Sequence, residues 1–177
     1  MVDKRQESSL SGLLRLRLER ARMASGQGSA MSHERDETPP PHEVTKLLWA
    51  HADATAERVI ERLGGPLGLG NLEQFLRDKE CLRYVTSLHF DGELLEPHQF
   101  AEPVLLGEGA ERHCCLYIHP RYQGCPDSVP YLVAYMAAAI TYGDAADPDL
   151  CEHLGSMLVK EPRDAFYRRI CTLADLP

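Results

Sequence analysis

Apolar residues recur at helical spacing from residue 43 to residue 63. They fall three or four positions apart there, and Gly64-Gly65-Pro66 then supplies a stop, which predicts a first core helix. Asn71 followed by Gln74 has the spacing of a capping box, so a short second helix is expected to run to about residue 79. The pattern therefore predicts two helices before the first strand.

Alternation of apolar and polar residues replaces the helical period at residues 82–90, which is the pattern of a half-buried strand. Asp91-Gly92 then predicts a two-residue hairpin turn, because glycine accepts positive φ, and a second strand would begin near Glu93. Pro97 and Pro103 limit the following chain to edge pairing or irregular structure. Further strands are expected at residues 104–106 and 114–118.

The last third of the chain has helical character. Residues 131–140 are apolar on nearly every side before Gly143, which predicts a helix buried all round. Asp147-Pro148 and Glu161-Pro162 each predict the start of another helix, since proline is favoured in the first turn. The inward side chains of these two helices should be Leu150, Cys151, Leu154, Leu158, Phe166, Ile170 and Leu173. The sum is an α+β fold, with a small, mainly antiparallel sheet of about three or four strands packed against about five helices.

Composition divides the chain of 177 residues into two parts. Residues 1–42 interleave leucine with arginine and continue into a Gly/Ser/Pro-rich stretch, so we expect a flexible, basic and proline-rich N-terminal extension. A basic amphipathic helix that touches a membrane or a partner is the alternative, since Leu10, Leu14 and Leu18 would share one helical face. Residues 43–177 are expected to form a single globular domain.

The charge distribution narrows the choice of partner. The chain has nineteen Lys/Arg and twenty-seven Asp/Glu, of which residues 1–30 hold six Lys/Arg and three Asp/Glu. The remainder therefore has thirteen basic and twenty-four acidic residues, which gives it a formal net charge of about -11. An acidic body disfavours nucleic acid, because such binding needs basic residues to neutralise phosphates. No apolar run is long enough for a membrane span. Six cysteines without a secretory signal, two of them adjacent, favour free thiols in the cytoplasm.

The segment from His113 to His119 is the first candidate for chemistry. On a strand, His113, Cys115 and His119 share one face, and His and Cys are the ligands that zinc prefers. At about 3.3 Å per residue, His113 and Cys115 lie about 6.6 Å apart and could share an ion, and His119 could pair with Cys125 across the following loop. Further ligands would have to come from elsewhere, such as His89 or His98. A zinc site at His113 and Cys115 is thus one alternative, and otherwise no cofactor is expected.

Cys125-Pro126-Asp127-Ser128 is the second candidate. A cysteine between a strand and the start of a helix is placed where the helix dipole favours the thiolate. The four residues resemble the C-x-x-S motif of monothiol thioredoxin-like proteins. That resemblance implies a thiol-dependent redox or transfer enzyme with Cys125 as nucleophile and His119 as base. The chain departs from that family's pattern after the motif, since helices follow where thioredoxin-like proteins place two more strands.

The leading hypothesis is a non-catalytic binding or assembly module, because no motif in the chain demands catalysis. Its contact surface would include Trp49, Tyr122, Tyr131 and the outer face of the sheet. The partner could be another protein or a small ligand, and self-association into a homodimer is one form that this binding could take.

Overall fold

The computed structural model describes residues 41–175. Five α-helices and one three-stranded sheet confirm the α+β class. In chain order the elements are α1 (Pro41–Leu63), α2 (Leu72–Arg77), β1 (Thr86–Phe90), β2 (Ala101–Leu106), β3 (His113–Ile118), α3 (Val129–Tyr142), α4 (Pro148–Val159) and α5 (Arg163–Ala174).

The predicted extension, residues 1–42, lies outside the described residues except for Pro41 and His42, which open α1. Its flexibility and its amphipathic alternative therefore stay predictions. Among residues 41–175, no helix combines the length and the apolar character that a membrane crossing needs.

The sheet is mixed rather than mainly antiparallel. Its order is β1-β3-β2, with β1 parallel to β3 and β2 antiparallel to β3. The hairpin predicted at Asp91-Gly92 is wrong, as is the strand near Glu93. The amide of Asp91 donates to the carbonyl of Ile118 at 3.1 Å, and the Asp91 carboxylate accepts from the amide of Glu93 at 2.9 Å. The turn residues thus tie the end of β1 to the end of β3, and residues 91–100 carry the chain across to the far side.

Strand β2 is an edge strand and contains Pro103, as the prolines predicted. It is longer than the three residues expected, because pairing with β3 extends it back to Ala101. The carbonyl of Phe100 accepts from the amide of His119 at 2.9 Å. Even-numbered positions therefore direct their backbone groups at β3, and Pro103 sits where the missing N–H would face away from the sheet.

Helix α3 is buried on nearly every side, as predicted. Ten of its fourteen residues are buried, and Gly143 ends it with a φ of 58°. Helix α4 begins where Asp147 and Pro148 indicated, since the Asp147 carboxylate accepts from the amide of Leu150 at 2.8 Å. The inward residues predicted for α4 and α5 are all buried.

The capping box predicted at Asn71 is wrong. Its side chain instead accepts from the amide of Gly68 at 2.8 Å and donates to the carbonyl of Pro66 at 3.0 Å. The side chain of Gln74 donates to the carbonyl of Arg62. Both polar groups thus hold the loop after α1, and α2 is shorter than the pattern suggested.

Candidate functional site

The two faces of the sheet follow from its register, because paired residues on neighbouring strands lie on the same face. We define the outer face by Ser87, His89, Glu102, Val104, Leu106, His113, Cys115 and Tyr117. We define the inner face by Thr86, Leu88, Phe90, Ala101, Pro103, Leu105, Cys114, Leu116 and Ile118.

Burial separates the two faces on β1, but not across the whole sheet. On β3 the inner-face residues Cys114, Leu116 and Ile118 are wholly buried, which makes the inner face the core side. On the outer face Ser87 and His89 are exposed to solvent. The β1 side of the outer face is therefore within reach of a second molecule, whereas Glu102 and Cys115 on the same face are buried.

A connected group of polar side chains crosses the outer face. The Oγ of Ser87 lies 2.8 Å from Nε2 of His89 and donates to the Sγ of Cys115 at 3.4 Å. The His89 ring also stacks on Tyr117, with centroids 5.4 Å apart. We call these four residues the polar row, and each is held in place by its neighbours.

The predicted metal ligands both lie on the outer face. Cys115 is only 7% exposed and is bonded to Ser87. His113 is exposed, and its Nδ1 donates to the carbonyl of Glu111 at 3.2 Å. Within the described part of the chain, no group of three or more His, Cys, Asp or Glu side chains is arranged to hold a metal ion. The zinc alternative thus stays a prediction that needs a donor from elsewhere.

The structure does not bring the predicted thiol and base together. Cys125 is exposed and opens a 3-10 turn, Pro126–Ser128, which separates it from the first residue of α3. The Nδ1 of His119 accepts from the amide of Arg121 at 3.2 Å, which fixes the imidazole in its own turn. Among residues 41–175, no hydrogen bond joins His119 to Cys125. The thiol-enzyme alternative, too, stays a prediction.

Three of the other cysteines lie in the core. Burial raises the pKa of Cys81 and of Cys114 to about 11 and that of Cys151 to about 12. These thiols are neutral at pH 7 and pack as small apolar side chains.

Of the aromatic residues predicted to contact a partner, Tyr122 is wrongly assigned. It is wholly buried, and its hydroxyl donates to the carbonyl of Leu173 at 2.5 Å. Tyr131 is half-buried, and its hydroxyl donates to Glu161 at 2.7 Å beneath the guanidinium of Arg169. The hydroxyls of both tyrosines thus donate hydrogen bonds within the domain.

Trp49 belongs to a second cluster that the sequence did not reveal. Its ring stacks on His153 with centroids 4.6 Å apart, and Arg163 lies 5.7 Å above it. Nε2 of His153 lies 2.5 Å from Oδ1 of Asp53, and Arg163 also pairs with Glu152 at 3.0 Å. These contacts join α1, α4 and α5, so Trp49 also has a structural role.

The hydrogen-bonded roles of Ser87 and His89 were not predicted from the sequence. The signal was present, since the two residues are two apart on the polar side of an alternating strand. Cys115 joins them only because β1 pairs with β3 across 28 positions of sequence, which no local pattern indicates.

Comparison with known proteins adds nothing to this geometry. A scan against protein-family models, a search of curated proteins and a search of solved structures each found no match.

Proposed function

We propose that this protein is a non-catalytic binding module that contacts a protein partner through the outer face of its sheet. The observation that carries the proposal is the polar row, which is pre-oriented by its own hydrogen bonds and ring stacking on the solvent side of the sheet. A surface that is ordered before binding loses less side-chain entropy when a partner arrives.

The surroundings of the polar row support a protein partner. Leu106 on the outer face is 41% exposed, and Val85, just before β1, is 36% exposed. Aromatic side chains such as Tyr117 are enriched in protein interfaces. The acidic balance of residues 31–177 disfavours nucleic acid as the partner.

Six free cysteines support a cytoplasmic location, because thiols persist in a reducing compartment.

A site-specific crosslinking experiment tests the proposal. A photoreactive phenylalanine analogue would replace Val85, which is exposed just before β1, in the full-length chain, and a matched control would carry it at Glu73, which is exposed on α2. We expect a discrete crosslinked protein from position 85 and none from position 73. Tyr117→Ala in the Val85-substituted chain should reduce the yield, since Tyr117 belongs to the polar row.

Equal crosslinking from both positions would contradict the proposal, because it would show only random encounters. Elemental analysis of the purified protein tests the competing hypothesis of a zinc site. A stoichiometric amount of zinc would favour a metal site at His113 and Cys115 over a protein-binding surface.

A further inference from the structure

We propose that the partner presents an extended, basic peptide segment that adds to the free edge of β1 as a fourth strand. This inference rests on the proposed function and gives the form of the partner. In such strand addition, backbone hydrogen bonds supply affinity and alternate side chains supply selectivity.

The direction of the backbone groups on β1 is fixed by its two ends. The carbonyl of Val85 accepts from the amide of Cys114 at 2.9 Å, and the amide of Asp91 donates to the carbonyl of Ile118 at 3.1 Å. Backbone groups alternate in direction along a strand, so odd-numbered positions of β1 face β3. The N–H and C=O groups of Leu88 and Phe90 therefore point away from the sheet.

These outward groups are unpaired in the described part of the chain, although α2 also contacts β1. Apart from the hydrogen bonds of the sheet itself, no backbone hydrogen bond among residues 41–175 involves Leu88 or Phe90. Their side chains are half-buried, whereas Thr86 at the start of the same edge is buried. The open edge thus offers two donors and two acceptors, and an extended peptide backbone satisfies them in one step.

The opposite edge of the sheet is less suited to strand addition. Pro103 occupies an outward position in the middle of β2, where it removes a donor. Proline on an edge strand is a recognised way to prevent pairing with other chains. Strand β1 contains no proline, so the sheet is protected on one side and open on the other.

Charge favours a basic peptide. The segment that builds the sheet, residues 84–119, contains six acidic residues and one basic residue, which gives a formal charge of -5. These residues are Asp91, Glu93, Glu96, Glu102, Glu108, Glu111 and Arg112. Asp91 and Glu93 directly follow β1, so the C-terminal end of this edge is negative, whereas the exposed Arg83 precedes its N-terminal end. Complementary charge raises the association rate and selects among partners.

Amide hydrogen exchange measured by NMR on the full-length protein tests the inference. The probe is a short synthetic peptide of alternating lysine and valine. We expect its addition to slow exchange of the Leu88 and Phe90 amides by about tenfold or more. The same peptide with an N-methyl group on every residue should give no protection, since neither edge of its backbone can then donate to β1.

Substitution of the protein gives the complementary test. Leu88→Pro removes an outward N–H but no bond to β3, and it should weaken peptide binding by about fivefold to tenfold. Leu88→Ala is the matched control because it keeps the N–H. The N-methylated peptide keeps the test decisive even where Leu88→Pro disturbs β1, since it leaves the protein unchanged.

Four outcomes would overturn the inference. The first is equal binding of a glutamate-valine peptide, and the second is slow exchange of the Leu88 amide that depends on protein concentration in the absence of peptide. The third is no binding of the lysine-valine peptide. The fourth is a set of NMR chemical-shift changes confined to Ser87 and Tyr117. The second would identify a second copy of this chain as the occupant. The last two leave the proposed function intact when crosslinking at position 85 succeeds, so the two failures are distinguishable.

Discussion

Two adjacent cysteines on β3 differ because a strand alternates its side chains. Cys114 points into the core, where burial raises its pKa to about 11. Cys115 points to the outer face and accepts a hydrogen bond from Ser87. Cys125 lies outside the sheet and is exposed. Position within the fold, not spacing along the chain, therefore sets how readily each thiol can react.

Alkylation is expected to follow this order. With iodoacetamide at pH 8, Cys125 should be modified first, and Cys114 and Cys151 should stay unmodified until the protein unfolds. Burial both blocks access to these two thiols and keeps them protonated. Peptide mapping by mass spectrometry over time checks the order.

The same measurement at pH 6 addresses the thiol-enzyme alternative. A rate at Cys125 that does not fall between pH 8 and pH 6 would favour that alternative over a binding module. Cys125→Ser is the control that assigns the fast phase to this residue.

At the scale of elements, α3, α4 and α5 meet at Gly155. A Cβ at this position would lie 2.5 Å from Cζ of Phe166 and 3.2 Å from the backbone carbon of Ala134. The absence of a side chain lets α4 approach both neighbouring helices closely. Helix packing in this core therefore depends on one glycine in the middle of a helix.

Gly155→Ala should lower the free energy of unfolding by about 1 to 3 kcal/mol, because the buried Phe166 ring has to move. Urea denaturation followed by circular dichroism measures the change. Gly70→Ala is the matched control, since a Cβ there meets no atom within 4 Å. Equal loss in both variants would show that the close approach at Gly155 does not limit stability.

For the whole molecule, the buried thiols make the free energy of unfolding depend on pH in the alkaline range. Cys114 and Cys151 would titrate near the ordinary 9.0 when unfolded, but near 11 and 12 when folded. Above pH 9 the unfolded chain therefore binds fewer protons than the folded chain, and stability falls as pH rises. Burial also raises the pKa of Tyr135, which acts in the same direction.

We expect the free energy of unfolding to decline progressively from pH 9 towards pH 11. Denaturation with urea at a series of pH values measures this decline. Cys151→Ala should make it shallower, because it removes the thiol with the largest increase in pKa among the cysteines. A stability that stays constant over this range in the unsubstituted protein would contradict the linkage.

The sequence by itself determined the elements that rest on local periodicity. The buried helix before Gly143, the start of α4 at Asp147-Pro148 and the edge position of Pro103 all follow from neighbours within a few residues. In these cases the hydrogen bond or the packed face lies within one element, so its pattern is visible in the chain.

Tertiary structure alone decided which strands pair and which side chains meet. Asp91-Gly92 has the local chemistry of a hairpin, yet β1 pairs in parallel with β3, because pairing between distant strands outweighs turn preference. That pairing places Cys115 beside Ser87 and separates His119 from Cys125. A candidate site made by contacts between residues far apart in sequence is set by the pairing of strands, which local pattern does not encode.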